Sequence, residues 1–101
     1  MDKIDILENL LKEIIDDIEL EKERLSNGEM SRWNYGQLQN IVSPEMNELL
    51  SYAIKGKVYF KYGKKQRLLE STYLLTDSLE HISETSLGEK ISKLQQLFNS
   101  I

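Results

Sequence analysis

The feature that most constrains this chain is the spacing of apolar residues in its first quarter. Ile4, Leu7, Leu11, Ile14, Ile18 and Leu25 recur at steps of three and four, broken only at Glu21. At the pitch of an α-helix they fall within an arc of about 80°, which is a stripe that must be buried against something else. Leu10 and Ile15 widen the stripe, while Ile6 and Leu20 stand on the opposite side of it. The pattern predicts one long amphipathic helix over residues 2–26. Asn27-Gly28 ends it, because both residues tolerate the left-handed conformation of a helix C-cap.

Three more segments carry the same signature. Ser43-Pro44-Glu45 reads as a helix start: a hydroxyl for the free N–H groups, a Pro for the first helical position, and an acid for the positive end of the dipole. Met46, Leu49, Leu50, Ala53 and Phe60 then share a face. Past Ile54 the spacing supports two readings. In one, Gly56 ends the helix and 57–62 becomes a strand. In the other the helix continues to Tyr62 and stops at Gly63, at a cost of about 1 kcal/mol for the internal glycine. A lone strand has no pairing partner, so the expectation is a helix over 44–62, with Lys57 snorkelling out of its apolar face.

Leu68, Thr72, Leu75, Leu79 and Ile82 form another stripe over 65–82, with Leu69, Tyr73 and Leu74 outside it; that much apolar girth predicts the most central helix of the fold. Ser86 and Glu89 have capping-box spacing and open a last helix over 86–100, whose stripe is Leu87, Ile91, Leu94, Phe98 and Ile101. Residues 29–42 hold the breakers Ser31, Asn34 and Gly36 among Trp33, Tyr35, Leu38 and Ile41, and read as irregular, with a short helix from about Asn34 to Ile41. Four amphipathic helices joined by short connections have one economical solution. The predicted fold is all-α, a single domain over 1–101 built as a compact antiparallel four-helix bundle.

Composition narrows the chemistry. The chain has 101 residues, no cysteine and one histidine. Absence of cysteine removes disulfides, thiol nucleophiles and thiolate metal sites together. His81 lies near Ser78 and Asp77 without a nucleophile-elbow turn, so the expected catalytic, cofactor and metal residues are none. Glu13, Asp17 and Glu21 align at i, i+4 and i+8 with Asp16 beside them, but the Glu-x-x-His pattern of di-metal bundles is missing; the expectation is a solvated acidic face. Gly56 and Gly63-Lys64-Lys65 fail the spacing of a phosphate loop, and Lys65 stands where its Ser or Thr belongs. No apolar run approaches a membrane span, and Met1-Asp2-Lys3-Ile4-Asp5 is unlike a secretory signal, so a cytoplasmic location is expected.

What stands out is charge segregation. Residues 1–24 carry nine acids against four bases, whereas 49–69 carry six bases and no acid. Those bases are interleaved with aromatic rings. On a helix running to Tyr62, residues Tyr52, Lys55, Tyr59 and Tyr62 would stack on a face turned away from the core stripe, with Lys61, Lys64, Lys65 and Arg67 clustered at its end. Tyrosine offers large contact area at small entropic cost and is enriched, with arginine, at protein interfaces. These eight residues are the candidate partner-binding set. The expected function is a non-enzymatic protein-interaction module, an inhibitor, adaptor or immunity-type factor whose partner is another protein. In size and helix count the chain resembles small bacterial immunity proteins. The alternative is nucleic-acid binding through Lys55–Arg67, which the net charge of −10 on the remaining residues opposes. Self-association is left open.

Overall fold

The computed structural model describes residues 3–55, 69–77 and 81–100. Within them the chain is all-helical: α1 (Lys3–Ser26), α2 (Ser43–Ile54), α3 (Glu70–Asp77) and α4 (Ser86–Ser100) pack together, and no strand is present among the described residues. A short helical turn (Tyr35–Gln37) and a π-turn (Leu38–Val42) lead into α2, and a 3-10 turn (Ile82–Glu84) leads into α4. The four-helix, all-α reading of the sequence therefore holds.

Helix α1 is the spine. Leu7, Leu11, Ile14 and Ile18 are completely buried, with Ile4 and Leu25 packed against the same core. Each buried aliphatic of this size is worth about 1.5–3 kcal/mol of transfer free energy, which is why the three-four spacing governs this helix. Its C-terminus is a Schellman motif: Glu29 N–H donates to the Arg24 carbonyl (3.0 Å) and Gly28 N–H to that of Leu25 (3.1 Å). Gly28 takes φ +82°, a left-handed conformation that glycine adopts without strain. Helix α4 lies antiparallel to α1, because Lys3 Nζ donates to the Ser100 carbonyl (3.0 Å) at one end and Lys90 meets Asp17 (2.7 Å) further along. Leu87, Ile91, Leu94 and Phe98 of α4 are buried as their spacing predicts.

Helix α2 departs from expectation at both ends. Val42 (φ −71°, ψ −52°) and Ser43 (φ −60°, ψ −48°) are already helical, so Ser43 is no cap. The cap is Asn34, whose Oδ1 accepts from Gly36 N–H (2.8 Å) and Gln37 N–H (3.3 Å). Proline inside a helix lacks the N–H for the carbonyl four residues back and collides with it. A π-turn ahead of Pro44 accommodates this: Ser43 N–H reaches back to the Leu38 carbonyl, one residue further than in an α-helix. Proline thus sits at a widened turn within a longer helical run. At its other end α2 stops at Ile54, where Lys55 N–H bonds the Tyr52 carbonyl at 3.1 Å in a tightened final turn. The unbroken helix expected to Tyr62 is not formed at Lys55; Phe60 and the rest of 56–62 lie outside the described residues.

The predicted 65–82 helix is shorter. It begins at Glu70, and His81 adopts a left-handed conformation (φ 55°, ψ 41°) that excludes continuation to Ile82. Leu69, expected off the stripe, is fully buried just ahead of α3, while Tyr73 is exposed and Leu74 partly buried. Leu68 and Leu79 lie outside the described residues. Helix α3 packs on α4, the π-turn and the 3-10 turn, so the central place expected of it belongs to α1, which touches both α2 and α4.

The opening of α4 is also reassigned. Thr85, not Ser86, is the cap: its Oγ1 accepts from Gly88 N–H (3.0 Å) and donates to the Ile82 carbonyl (2.5 Å). The same hydroxyl accepts the Trp33 indole N–H at 3.1 Å, and Trp33 is 3% exposed. This uses the hydroxyl's one donor and both acceptor sites, and it pins the irregular loop to the start of α4. Gly88 makes the junction possible, since a Cβ there would overlap the Ile82 carbonyl oxygen and stand 2.9 Å from its carbon and from Ser83 Cα.

Candidate docking surfaces and the polar clamp

Of the eight residues singled out for partner binding, the structure places two. Tyr52 is half-buried on α2, its hydroxyl 3.4 Å from Glu48 Oε1. Lys55 is exposed at the helix terminus. Tyr59, Lys61, Tyr62, Lys64, Lys65 and Arg67 lie outside the described residues. The single ridge expected of Tyr52, Lys55, Tyr59 and Tyr62 assumed a helix continuing beyond Lys55, and α2 ends before it.

The acidic face of α1 is less free than its spacing suggests. Asp17 Oδ2 accepts from Lys90 Nζ at 2.7 Å. Glu21 accepts Ser31 Oγ at 2.5 Å and Arg24 Nη1 at 3.5 Å. Glu8 pairs with Lys12 (3.2 Å) and Glu19 with Lys22 (3.7 Å). The Lys90 ammonium titrates above its ordinary 10.5. Its hydrogen bond to Asp17 is the main cause, with the charges of Asp17 and Glu13 adding to it and partial burial opposing. Part of this surface is thus a structural seam between α1 and α4. Among the described residues no group of three or more His, Cys, Asp or Glu side chains could hold a metal ion. His81 is exposed, and its carbonyl accepts from Arg32 Nη1 at 3.3 Å while the same guanidinium meets Glu84 at 3.2 Å.

Two features escaped sequence reasoning. The first is a polar clamp at the start of α3. Glu45 of α2, 9% exposed, accepts Glu70 N–H on Oε2 (2.9 Å), and on Oε1 it accepts both Ser71 N–H (2.9 Å) and Ser71 Oγ (2.7 Å). Gln95 of α4, 6% exposed, accepts Leu69 N–H (2.8 Å) and Thr72 Oγ1 (2.9 Å) on its Oε1 and donates to Asn99 Oδ1 (2.9 Å). Thr72 N–H turns back to the Leu69 carbonyl at 3.0 Å. All four amides that open a helix are thereby satisfied, two of them by a carboxylate suited to the positive end of the dipole. Glu45 therefore serves the terminus of α3, not that of its own helix as the sequence suggested. In sequence it reads as a first-turn acid, and only long-range packing reveals its partners.

The second is an open groove of about 570 Å³ between α1 and α4, with Ile6, Leu10 and Leu97 as its apolar surface and Glu13 and Lys93 at its edges. Ile6, off the main stripe, was its one sequence signal. Among the described residues no helix is long and apolar enough to cross a membrane. Set against known protein families, curated proteins and solved structures, the chain matches none of them.

Proposed function

We propose that the chain is a small non-enzymatic protein-interaction module, an inhibitor, adaptor or immunity-type factor. It docks through the basic, aromatic stretch that begins at Tyr52 and Lys55 and includes Tyr59, Lys61, Tyr62, Lys64, Lys65 and Arg67. The observation that carries this reading is the one-sided charge of the stretch, six bases with no acid between residues 49 and 69. Four of the acids of α1 are committed elsewhere: Glu8, Asp17, Glu19 and Glu21 bond Lys12, Lys90, Lys22 and Arg24. A run of cations with tyrosines between them suits an acidic protein surface, where the rings supply contact area and the charges supply steering.

The test is affinity capture with the wild-type chain and with the Tyr59→Ala, Tyr62→Ala double variant, followed by titration of the identified protein against both. At least tenfold weaker binding by the double variant, with unchanged circular dichroism, supports the reading. Equal affinity refutes it. Binding to DNA or RNA with a steep salt dependence would instead assign the stretch to phosphate recognition.

A further inference from the structure

The groove between α1 and α4 carries a second inference, independent of the basic stretch. Glu13 stands on its α1 wall and Lys93 on its α4 wall. Neither has an ion-pair partner among the described residues, whereas Asp17 and Lys90, about one turn along, pair at 2.7 Å. Between them Ile6 is 41% exposed, beside the partly buried Leu10 and Leu97. Past the Asp17–Lys90 pair the same seam opens again at Leu20, 53% exposed, in a smaller hollow beside Ser86 and Leu87. The apolar residues therefore run along one face for about 21 Å, the rise of fourteen helical residues.

Glu13 on one wall, whose charge also acts on Lys90 without an ion-pair contact, and Lys93 on the other give the groove no net charge with which to select a strongly acidic or strongly basic partner. They make it complementary to itself. Because α1 and α4 are antiparallel neighbours, a two-fold axis lying along the groove sets the α1 wall of one molecule over the α4 wall of another at the same height. We propose that the occupant of this groove is a second copy of the chain, with Glu13 of each copy against Lys93 of the other and Ile6, Leu10 and Leu97 closed over between them. A face of about 21 Å by two helix widths covers roughly 400 Å² on each side, about 800 Å² in all, which is less than a stable specific interface buries and fits only a weak, concentration-dependent dimer.

Analytical ultracentrifugation from about 10 µM to about 1 mM tests this, with E13K, K93E and the double variant E13K/K93E beside the wild type. Glu13 and Lys93 are both exposed, so the substitutions leave the fold intact, which circular dichroism checks. The wild type dimerises as concentration rises. Each single variant places like charges opposite one another and weakens dimerisation about tenfold, since the two-fold axis doubles the effect of each change. An equimolar mixture of E13K and K93E dimerises at least as well as the wild type, as does E13K/K93E alone. A wild-type chain that stays monomeric to about 1 mM gives the groove to some other occupant and overturns the proposal. So does a dimer that both single variants leave unchanged, or a mixture no more associated than its components.

Discussion

Replacing Glu45 by leucine isolates what holds α3 in place. The substitution keeps an apolar side chain of similar volume on α2 but removes the acceptor for Glu70 N–H, Ser71 N–H and Ser71 Oγ, which now sit at 2.7 to 2.9 Å from the carboxylate. Ser71 is fully buried, so water cannot replace the lost acceptor at its amide, whereas Glu70 is exposed and its amide finds solvent more readily. An unsatisfied buried donor costs about 1–3 kcal/mol, and a hydrogen bond to a charged group is worth about 1.5–3 kcal/mol. Counting the Ser71 amide in full, the Glu70 amide in part and the rotatable hydroxyl least gives a loss of about 2–4 kcal/mol. Against a total stability of about 5–15 kcal/mol for a domain of this size, that is a large fraction. A loss of about 3 kcal/mol lowers the melting temperature by roughly 12–24 °C. Urea unfolding followed by circular dichroism and by the fluorescence of Trp33, the only tryptophan, measures the change. Native-state hydrogen exchange locates it, since the amides at 69–72 should lose protection first. Glu48→Leu, one turn along the same helix, is the control and should change stability by less than about 0.5 kcal/mol. A Glu45→Leu protein within about 0.5 kcal/mol of wild type would show that the clamp does not hold α3.

Two further outcomes are expected. Gly88→Ala should destabilise by about 1–3 kcal/mol in the same urea assay despite alanine's better helix propensity, because the added methyl meets the backbone of Ile82 and Ser83, which has no flexible end to move aside; a stabilised variant would refute the close approach. Lys90 titrates higher in the folded than in the unfolded chain, so its pairing with the Asp17 carboxylate supports the fold on the neutral side of its ordinary 10.5 and the support is lost as pH rises through the raised value. Stability of the wild type should therefore fall over that alkaline range, and Lys90→Met should remove that part of the decline; an identical alkaline profile would exclude the pair as its source.

The helix pattern was legible where one helix face meets the core for its whole length. Leu7, Leu11, Ile14 and Ile18 in α1 and Leu87, Ile91, Leu94 and Phe98 in α4 are buried at the spacing that predicts them. Legibility failed where two local signals competed or where a partner distant in sequence decided the outcome. Ser43-Pro44 carries the local signature of a helix start, yet Asn34 is the cap and a π-turn absorbs the proline. Ser86 and Glu89 have capping-box spacing, yet Thr85 caps α4 because its hydroxyl also holds Trp33.

Sequence alone determined that the chain is all-α in its described residues, cysteine-free and segregated in charge, with two stripes long enough to dictate α1 and α4. That follows because helix periodicity is a local property and each stripe must leave water. Tertiary structure alone decided what Trp33, Glu45 and Gln95 are for, and that Glu13 and Lys93 face each other across an open apolar groove. Their partners lie tens of residues away, and no local propensity encodes which buried donor a carboxylate will meet.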